Sequence, residues 1–360
     1  MVFNKTSTFG ALVFAAGAAF VSTPAIAQTG VTISGAIDTE INTQTSQTTG
    51  KRITSLNGVS TGPNGGLQTS YLEFAGVEDL GDGLKAGFSL GMFILPGTGN
   101  SGRFNGDPLF SRDANILLSG DMGTLKLGRQ ISPLFLSTLL FNPFADSFSY
   151  SAIIQHTYNA GQFEDGSGNV ISADSGYSNA ISYATPNYDG FRAELLYSAS
   201  GQNGTSGSYS GNVLYFNGPF AATLAYESST VTGSSNNTFT LGGSLPPGTT
   251  QKTAQLGLSY DLQPVKLFLQ LQNNNTSVGG NSPSVSNGTY QIGASIAAGS
   301  GNVLASYAHT GGAIDHKTFS LGYDYKLSRR TDTYIAYMTD SAAAYADTIN
   351  SFGIGLRHRF

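Results

Sequence analysis

The sequence predicts an all-β protein, a transmembrane β-barrel of sixteen antiparallel strands. Extended segments alternate apolar and polar residues along the whole chain, and the connections between them alternate between short and long. Side chains of a strand point alternately to opposite faces, so each segment offers one face to lipid and one to water. A soluble sandwich could also supply such alternation, but it would rarely repeat it in every strand.

The last ten residues show the pattern most clearly. One face of this segment is apolar or aromatic and the other is polar or cationic: Phe352, Ile354, Leu356, His358 and Phe360 against Ser351, Gly353, Gly355, Arg357 and Arg359. The same alternation recurs at residues 84–90, 191–197 and 319–327. Lipid on one side of a barrel wall and water on the other would require this repetition.

We predict sixteen strands, an even number, as expected for a barrel whose two ends lie on the periplasmic side. They lie near residues 31–41, 69–77, 84–92, 112–119, 124–129, 179–185, 191–198, 210–217, 219–228, 251–261, 264–273, 289–297, 302–309, 316–327, 331–339 and 350–360. Short connections carry the Gly, Asn and Asp that tight turns need. Long connections rich in Ser, Thr, Asn and Gly are expected on the outer side, at 42–68, 93–111, 130–178, 229–250 and 274–288.

The N-terminus predicts export. Lys5 precedes a short apolar run at residues 9–21, and Ala25-Ile26-Ala27 is typical of a cleavage site, so we interpret residues 1–27 as a signal peptide. The alternative is an anchor that the mature protein retains. Residues 28–360 then form a single barrel domain, in which no segment offers the roughly 20 apolar residues of a membrane helix.

Charge and residue usage exclude several classes of function. Lys and Arg number 17 and Asp and Glu 22; without Lys5 the balance is 16 − 22 = −6, which argues against a nucleic-acid partner. The chain has no Cys, so it has no disulfides and no thiolate chemistry. Its four His residues lack metal-ligand spacing and are expected to be solvated or interfacial, and no cofactor or metal is predicted.

Several segments, in order along the chain, resemble the general porins of Gram-negative bacteria, of the Burkholderia–Neisseria type. They are VTISGAID at 31–38, GVEDLGDGLKA at 76–86, LFSRDA at 109–114, SGDMGTLKLGRQ at 119–130, NAISYATPNYDGF at 179–191 and GLRHRF at 355–360. The resemblance implies a water-filled, homotrimeric diffusion channel of the outer membrane whose third outer loop folds into the lumen. It also implies contact with membrane lipid and lipopolysaccharide, passage of small hydrophilic solutes and ions, and an assembly machinery that reads the terminal Phe360.

Three residues depart from the family pattern. Tyr71 stands where Arg is usual, Glu73 where Gly is usual, and Ala75 where Lys or Arg is usual. By alternation these three face the lumen, while Leu72 and Phe74 face lipid. The charge of the pore wall is therefore expected to differ from that of relatives.

The long connection 130–178 is the strongest candidate for a functional loop. Its first half is too apolar to remain in water, and its second half adds Glu164 and Asp165 to the acidic Asp146. The resemblance implies packing against the inner wall, with Asp146 at the narrowest point. The alternative is a loop that rests outside, on a neighbouring subunit.

Fixed charges of both signs are expected around the constriction, because charged rings filter ions in channels. Asp38 and Glu40 lie on the polar face of the first strand, and Arg112 and Arg129 are the candidate cations. Arg129 shares a face with the apolar Leu125 and Leu127, so this role requires either a bulge at Gly128 or the end of the strand there.

We predict a general porin that prefers cations. A substrate-specific channel of the same fold is the first alternative, because an aromatic Tyr71 in the lumen could bind sugar faces. A barrel enzyme with its catalytic residues in the loops is the second, and it would need a nucleophile and a base on the rim.

Overall fold

The computed structural model describes residues 30–46, 49–56, 65–103, 107–158, 172–173, 175–199, 207–230, 238–239, 250–277, 284–312, 315–342 and 347–360. The predicted signal peptide lies outside the described residues, and so do Glu164 and Asp165. None of the helices in these ranges is long and apolar enough to cross a membrane.

Sixteen long strands of the described chain form one closed antiparallel sheet, as the sequence predicts, and four short strands lie in the connections. In chain order the strands are β1 (Gly30–Thr45), β2 (Arg52–Leu56), β3 (Tyr71–Gly81), β4 (Leu84–Leu95), β5 (Asn100–Ser101), β6 (Asp113–Gly120), β7 (Gly123–Ile131), β8 (Ser172–Ala173), β9 (Gly176–Ala184), β10 (Phe191–Ser198), β11 (Ser208–Asn217), β12 (Phe220–Thr230), β13 (Thr238–Phe239), β14 (Thr250–Asp261), β15 (Val265–Ser277), β16 (Val285–Ala298), β17 (Gly301–Gly312), β18 (His316–Lys326), β19 (Thr331–Ala342) and β20 (Ile349–Arg359). The short ones are β2, β5, β8 and β13. Strand β1 pairs with both β3 and β20, which closes the ring and leaves no long strand with an open edge.

The two faces of the sheet differ in the way that the alternation predicts. In β20, Ile354 and Leu356 are each 53% exposed, whereas Ser351 is 2% and Arg357 6% exposed. The same division runs through the other long strands, where exposed Leu, Ile and Tyr alternate with buried Ser, Thr, Gln and Asn. We call the second set the polar face. A wall of this kind suits lipid on its apolar side.

The predicted short connections are tight turns. Between β3 and β4, Asp82 and Gly83 adopt positive φ angles of 51° and 78°. Two such residues in a row match the right-handed twist of the strands that they join. Asp and Gly tolerate this conformation, so the Gly-Asp-Gly sequence at residues 81–83 encodes the hairpin.

Two helices follow β7 inside the long connection: α1 (Pro133–Leu140) and α2 (Ala152–Thr157). The sequence analysis predicted packing for this connection but no helices. The N-terminal signal of α1 is present in the sequence: Ser132 accepts a hydrogen bond from the Phe135 amide at 3.1 Å, and Pro133 occupies the first helical turn. We call residues 132–158 the helical segment.

The helical segment is held on the polar face by hydrogen bonds with side chains of three neighbouring strands, β14, β15 and β16. Thr138 Oγ1 donates to Gln255 Oε1 at 2.8 Å, and its carbonyl accepts from Gln270 Nε2 at 2.9 Å. In α2, Thr157 Oγ1 donates to Gln272 Oε1 at 2.6 Å and the Ile153 amide to Gln291 Oε1 at 3.2 Å. The described half of the connection therefore packs against the polar face of the sheet.

The C-terminal residue completes the ring. The amide of Phe360 donates to the Gly35 carbonyl at 3.0 Å, and the Gly35 amide donates to the Phe360 carbonyl at 3.1 Å. A side chain at Gly35 would meet the Phe360 ring at 2.7 Å, so the ring lies directly against the glycine. Phe360 thus joins the last strand to the first.

Candidate functional site

Asp38 and Glu40 of β1 anchor two returning segments of the chain. Asp38 accepts from Tyr334 Oη at 2.5 Å and from the Gln68 amide at 2.9 Å. Glu40 accepts from Tyr150 Oη at 2.9 Å. Each carboxylate is only 1% exposed. Both were expected at the constriction, whereas the structure covers them with residues 65–70 and the helical segment, so their position is that of structural anchors.

Two glycines of β20 make room for these anchors. A side chain added at Gly353 would overlap Tyr150 and the Glu40 carboxylate, and one added at Gly355 would overlap the Tyr334 ring. Tyrosine rings that cross a strand need a neighbour without a side chain. The glycines are therefore part of the site that fixes the helical segment.

Gly355→Ala is expected to destabilise the barrel by about 1–3 kcal/mol, because the new methyl group must displace Tyr334 from Asp38. The measurement is the temperature at which the folded barrel unfolds in detergent. Gly288→Ala is the matched control, since a side chain there meets open space. Equal shifts for the two variants would contradict the proposed crowding.

Arg112 is paired with two carboxylates. Its Nη1 lies 2.5 Å from Glu73 Oε2 and 2.9 Å from Asp113 Oδ2, and the guanidinium stacks on the Tyr71 ring at 4.0 Å. Glu73 also accepts from Ser89 Oγ at 3.0 Å. One cation against two acids leaves this group with a formal charge of 1 − 2 = −1.

A second group of charges lies on β18, β19 and β20. Arg357 contacts Asp332 at 2.9 Å and Asp324 at 3.1 Å, and Arg359 contacts Asp332 at 2.7 Å. Two arginines and two aspartates give no net charge. Alternation predicts that Arg357 and Arg359 lie on the polar side of the last strand, but neither was among the predicted site residues. Both groups lie on or beside one stretch of neighbouring strands, which runs through β18, β19, β20, β1, β3, β4 and β6. We call the seven charged side chains of the two groups the charged wall.

Asp146 belongs to the helical segment and faces the charged wall. Its carboxylate accepts from Gln68 Nε2 at 3.4 Å. Asn142 holds the turn that carries it, through a bond from Nδ2 to the Ala145 carbonyl at 2.9 Å. Burial raises the pKa of Asp146 above its ordinary value, and the positive charges of Arg357 and Arg112 partly oppose that rise. Asp146 is thus within electrostatic reach of both arginine groups.

The bulge expected beside Arg129 exists. Gly128 has a φ of 121°, and the register of β7 with β9 shifts between Gly128 and Gln130. Arg129 donates to the Ser111 carbonyl and to Ser178 Oγ at 3.0 Å. The side chain buried on the polar face is that of the next residue, Gln130, which accepts from Ser182 Oγ at 2.7 Å. The arginines whose positive charge acts on Asp146 are Arg357 and Arg112.

The site predicted from sequence is thus partly assembled. Four of the predicted residues lie near one another: Tyr71, Glu73, Arg112 and Asp146. Two others, Asp38 and Glu40, are buried as anchors, and Glu164 and Asp165 lie outside the described residues. The closed sheet has an apolar outer face and ion pairs on its polar face. A barrel with these features is suited to a water-filled passage lined by fixed charges.

Comparison with known proteins agrees with this architecture. A family model described as Gram-negative porin matches residues 11–344. The chain belongs to the Gram-negative porin family. It is 32% identical to outer membrane porin protein 32 of Delftia acidovorans, over 93% of this chain and 95% of that relative. It is 30% identical to an outer membrane porin protein of Bordetella pertussis, over 85% of this chain and 84% of that one.

Solved structures agree with the fold of this porin. An anion-selective porin from Comamonas acidovorans superposes with a TM-score of 0.73 at 27% identity, covering 92% of this chain and all of that one. The OmpT protein of Vibrio cholerae, in a form lacking loop L8, superposes with a TM-score of 0.67 at 15% identity, which shows the shared fold. The porin resides in the outer membrane and forms a channel for passive diffusion.

Proposed function

We propose that the porin is a general diffusion channel that prefers cations, and that the charged wall and Asp146 border its narrowest part. The observation that carries the proposal is the pairing of Arg112 with both Glu73 and Asp113. The charged wall and Asp146 together hold three arginines and five carboxylates, a formal balance of 3 − 5 = −2. Fixed negative charge concentrates cations locally.

This preference would be opposite to the one in the name of its anion-selective structural neighbour. The family pattern places Arg or Lys where this porin has Tyr71 and Ala75, and a glycine where it has Glu73. Each of these replacements removes positive charge or adds negative charge at the charged wall. These departures from the family pattern support a pore wall that is more negative than the pattern would give.

The reversal potential in a salt gradient across a planar bilayer tests the proposal. We expect a cation preference near neutral pH that declines as salt rises, because the Debye length falls from about 10 Å at 0.1 M to about 3 Å at 1 M. Acid should also reduce the preference, and this loss should begin above the ordinary Asp pKa of 3.8, since burial raises the pKa of Asp146. Anion preference at low salt would contradict the proposal.

A sugar-specific channel receives less support from the geometry. Tyr71 is the aromatic residue on which a sugar ring was expected to stack, but it is 8% exposed and the Arg112 guanidinium covers one face of its ring. We propose a channel without catalytic activity, supported by the family; labelling of the folded protein by a fluorophosphonate would contradict this. Conductance that saturates with one sugar would instead favour the specific channel.

We further propose that the chain is exported by cleavage of residues 1–27 and assembles into homotrimers in contact with lipid and lipopolysaccharide. Membership in the porin family supports self-association. A heat-sensitive oligomer band in unheated SDS gels, and a mature N-terminus at Gln28, are the expected observations.

We also propose that the helical segment lies within the lumen, supported by its bonds to the polar faces of β14, β15 and β16.

A further inference from the structure

Two histidines meet where α2 rests on the sheet. His156 of α2 and His316 of β18 stack with ring centroids 3.7 Å apart and ring planes 9° from parallel. His156 is 1% exposed and His316 is fully buried, so the expectation that both are solvated or interfacial is wrong. Asp340 of β19, also fully buried, lies 2.6 Å from His316 Nε2. We call these three residues and their threonine partners the histidine contact.

Hydroxyl groups determine how His156 is held. Its Nδ1 lies 2.7 Å from Thr310 Oγ1 and its Nε2 2.8 Å from Thr318 Oγ1. Thr318 donates onward to Asp340 Oδ1, which also receives the His316 hydrogen bond. A neutral His156 fits this series of hydrogen bonds, because Nε2–H can donate to Thr318 and Nδ1 can accept from Thr310. A protonated ring would have to donate from both nitrogens, and its charge would lie against the His316 ring.

Among the described residues, Asp340 is the carboxylate whose oxygen lies within 4.8 Å of a His156 ring nitrogen. Strands β16 and β15 present Thr289, Gln291 and Gln272, which are uncharged. His309 of β17 is a further titratable neighbour among the described residues, and its Nε2 lies 2.8 Å from Asp315. The carboxylate of Asp340 is shared by His316 and Thr318. Burial first, and then the nearby His316 and His309, hold the pKa of His156 well below its ordinary value.

A divalent metal is the other ligand class that these side chains suggest. The nitrogens and the Asp340 oxygen lie within 4.8 Å of one another. A ring nitrogen binds a metal through a lone pair in the plane of its ring, and the rings of His156 and His316 lie face to face in nearly parallel planes. Their lone pairs therefore run side by side and do not converge on one point. The geometry favours a proton as the ligand.

We propose that the histidine contact is a proton-sensitive latch that holds α2 on the wall near neutral pH and releases it in mild acid. Release leaves α2 free to enter the passage and interrupt the current. The inference rests on the proposal that the helical segment lies within the lumen. The inference does not depend on the ion selectivity of the channel, because His156 of α2 is held by the uncharged side chains of Thr310 and Thr318.

The direction of the pH dependence follows from linkage. The docked state holds the pKa of His156 below the value of a solvated His, so the released state binds the proton more tightly. The latch is fully effective above the ordinary His pKa of about 6.5 and weakens as pH falls below it. Each further pH unit favours release by about tenfold, until the docked His156 itself becomes protonated.

Single-channel recording in symmetric salt from pH 7.5 to 4.5 tests the latch. We expect interruptions to increase by about tenfold per pH unit below about pH 6.5. His156→Gln should abolish that increase, because an amide can donate to one threonine and accept from the other but takes up no proton. His358→Gln is the control: His358 is exposed, on β20, and its variant should respond to acid as the wild type does.

Three results would overturn the inference: no interruptions in acid, unchanged acid response in His156→Gln, or loss of the acid response in His358→Gln. If His156→Gln fails to fold, NMR titration of the wild-type imidazoles is decisive, since the protonation of His156 must coincide with the onset of interruptions. Interruptions that appear near neutral pH on adding EDTA and disappear with added Zn²⁺ would favour a metal site and reject the proton latch. Cation preference at pH 7.5 tests the proposed function separately.

Discussion

Glu73→Gln is expected to lower the cation preference of the channel several-fold, and this is the largest change in selectivity that we predict for a single substitution. Glu73 neutralises Arg112 at 2.5 Å, and the substitution removes one negative charge while leaving the arginine in place. Arg112 keeps Asp113 at 2.9 Å, so the guanidinium is expected to stay near its present position. The formal balance of the charged wall and Asp146 changes from −2 to −1.

The reversal potential at low salt measures this effect. Glu78→Gln is the matched control, since Glu78 lies on the same strand but is exposed beyond the charged wall. The control should leave the potential unchanged, because an exposed charge is screened by salt. If the two variants shift the potential equally, the preference comes from the overall charge of the barrel and not from the Arg112 group.

Deletion of Phe360 is expected to reduce the amount of assembled barrel by more than tenfold. It removes both backbone hydrogen bonds to Gly35, together worth about 1–3 kcal/mol, and the ring that packs on that glycine. About 1.4 kcal/mol corresponds to a factor of ten in an equilibrium. The measurement is the oligomer band in unheated SDS gels of outer membranes.

Two substitutions separate the possible roles of this residue. Phe360→Ala keeps the backbone bonds and removes only the ring, and Phe360→Tyr keeps both. We propose that the assembly machinery reads the ring, so Phe360→Ala should assemble poorly in cells and refold normally in detergent. Normal assembly of Phe360→Ala in cells would refute that role and leave the joining of β20 to β1 as the function of the residue.

The sequence predicts the sixteen strands because period-two alternation is a local property. Each strand that faces two media repeats it, and the turns add their own Gly and Asp signals. Helix α1 was missed because the run from Pro133 to Phe144 is mostly apolar and shows no clear helical periodicity. Helix α2 was missed because its 6 residues are too few to establish a period. The Ser132-Pro133 pair was the available signal for the start of α1.

The charge pairs could not be predicted, because they depend on distant residues. Glu73 and Arg112 are 39 positions apart, and Asp38 and Tyr334 are 296 apart. Alternation identifies the face on which such a residue lies but not what covers it. Asp38 and Glu40 were assigned to the correct face, and the returning segments at 65–70 and 147–150 decide that both are buried. The stack of His156 on His316 likewise joins residues that are far apart in the sequence and share no local pattern.

The distribution of side chains around the ring has a consequence for what passes through it. Carboxylates and guanidinium groups lie on β18 to β6, whereas β14, β15 and β16 contribute the amides that hold the helical segment. On the proposal that the helical segment lies within the lumen, a molecule that crosses beside it has these ion pairs on one flank and the amides of β14, β15 and β16 on the other. Such a passage acts on the dipole of a solute as well as on its net charge. Two zwitterions of the same size would then cross at different rates, according to how far apart each carries its opposite charges.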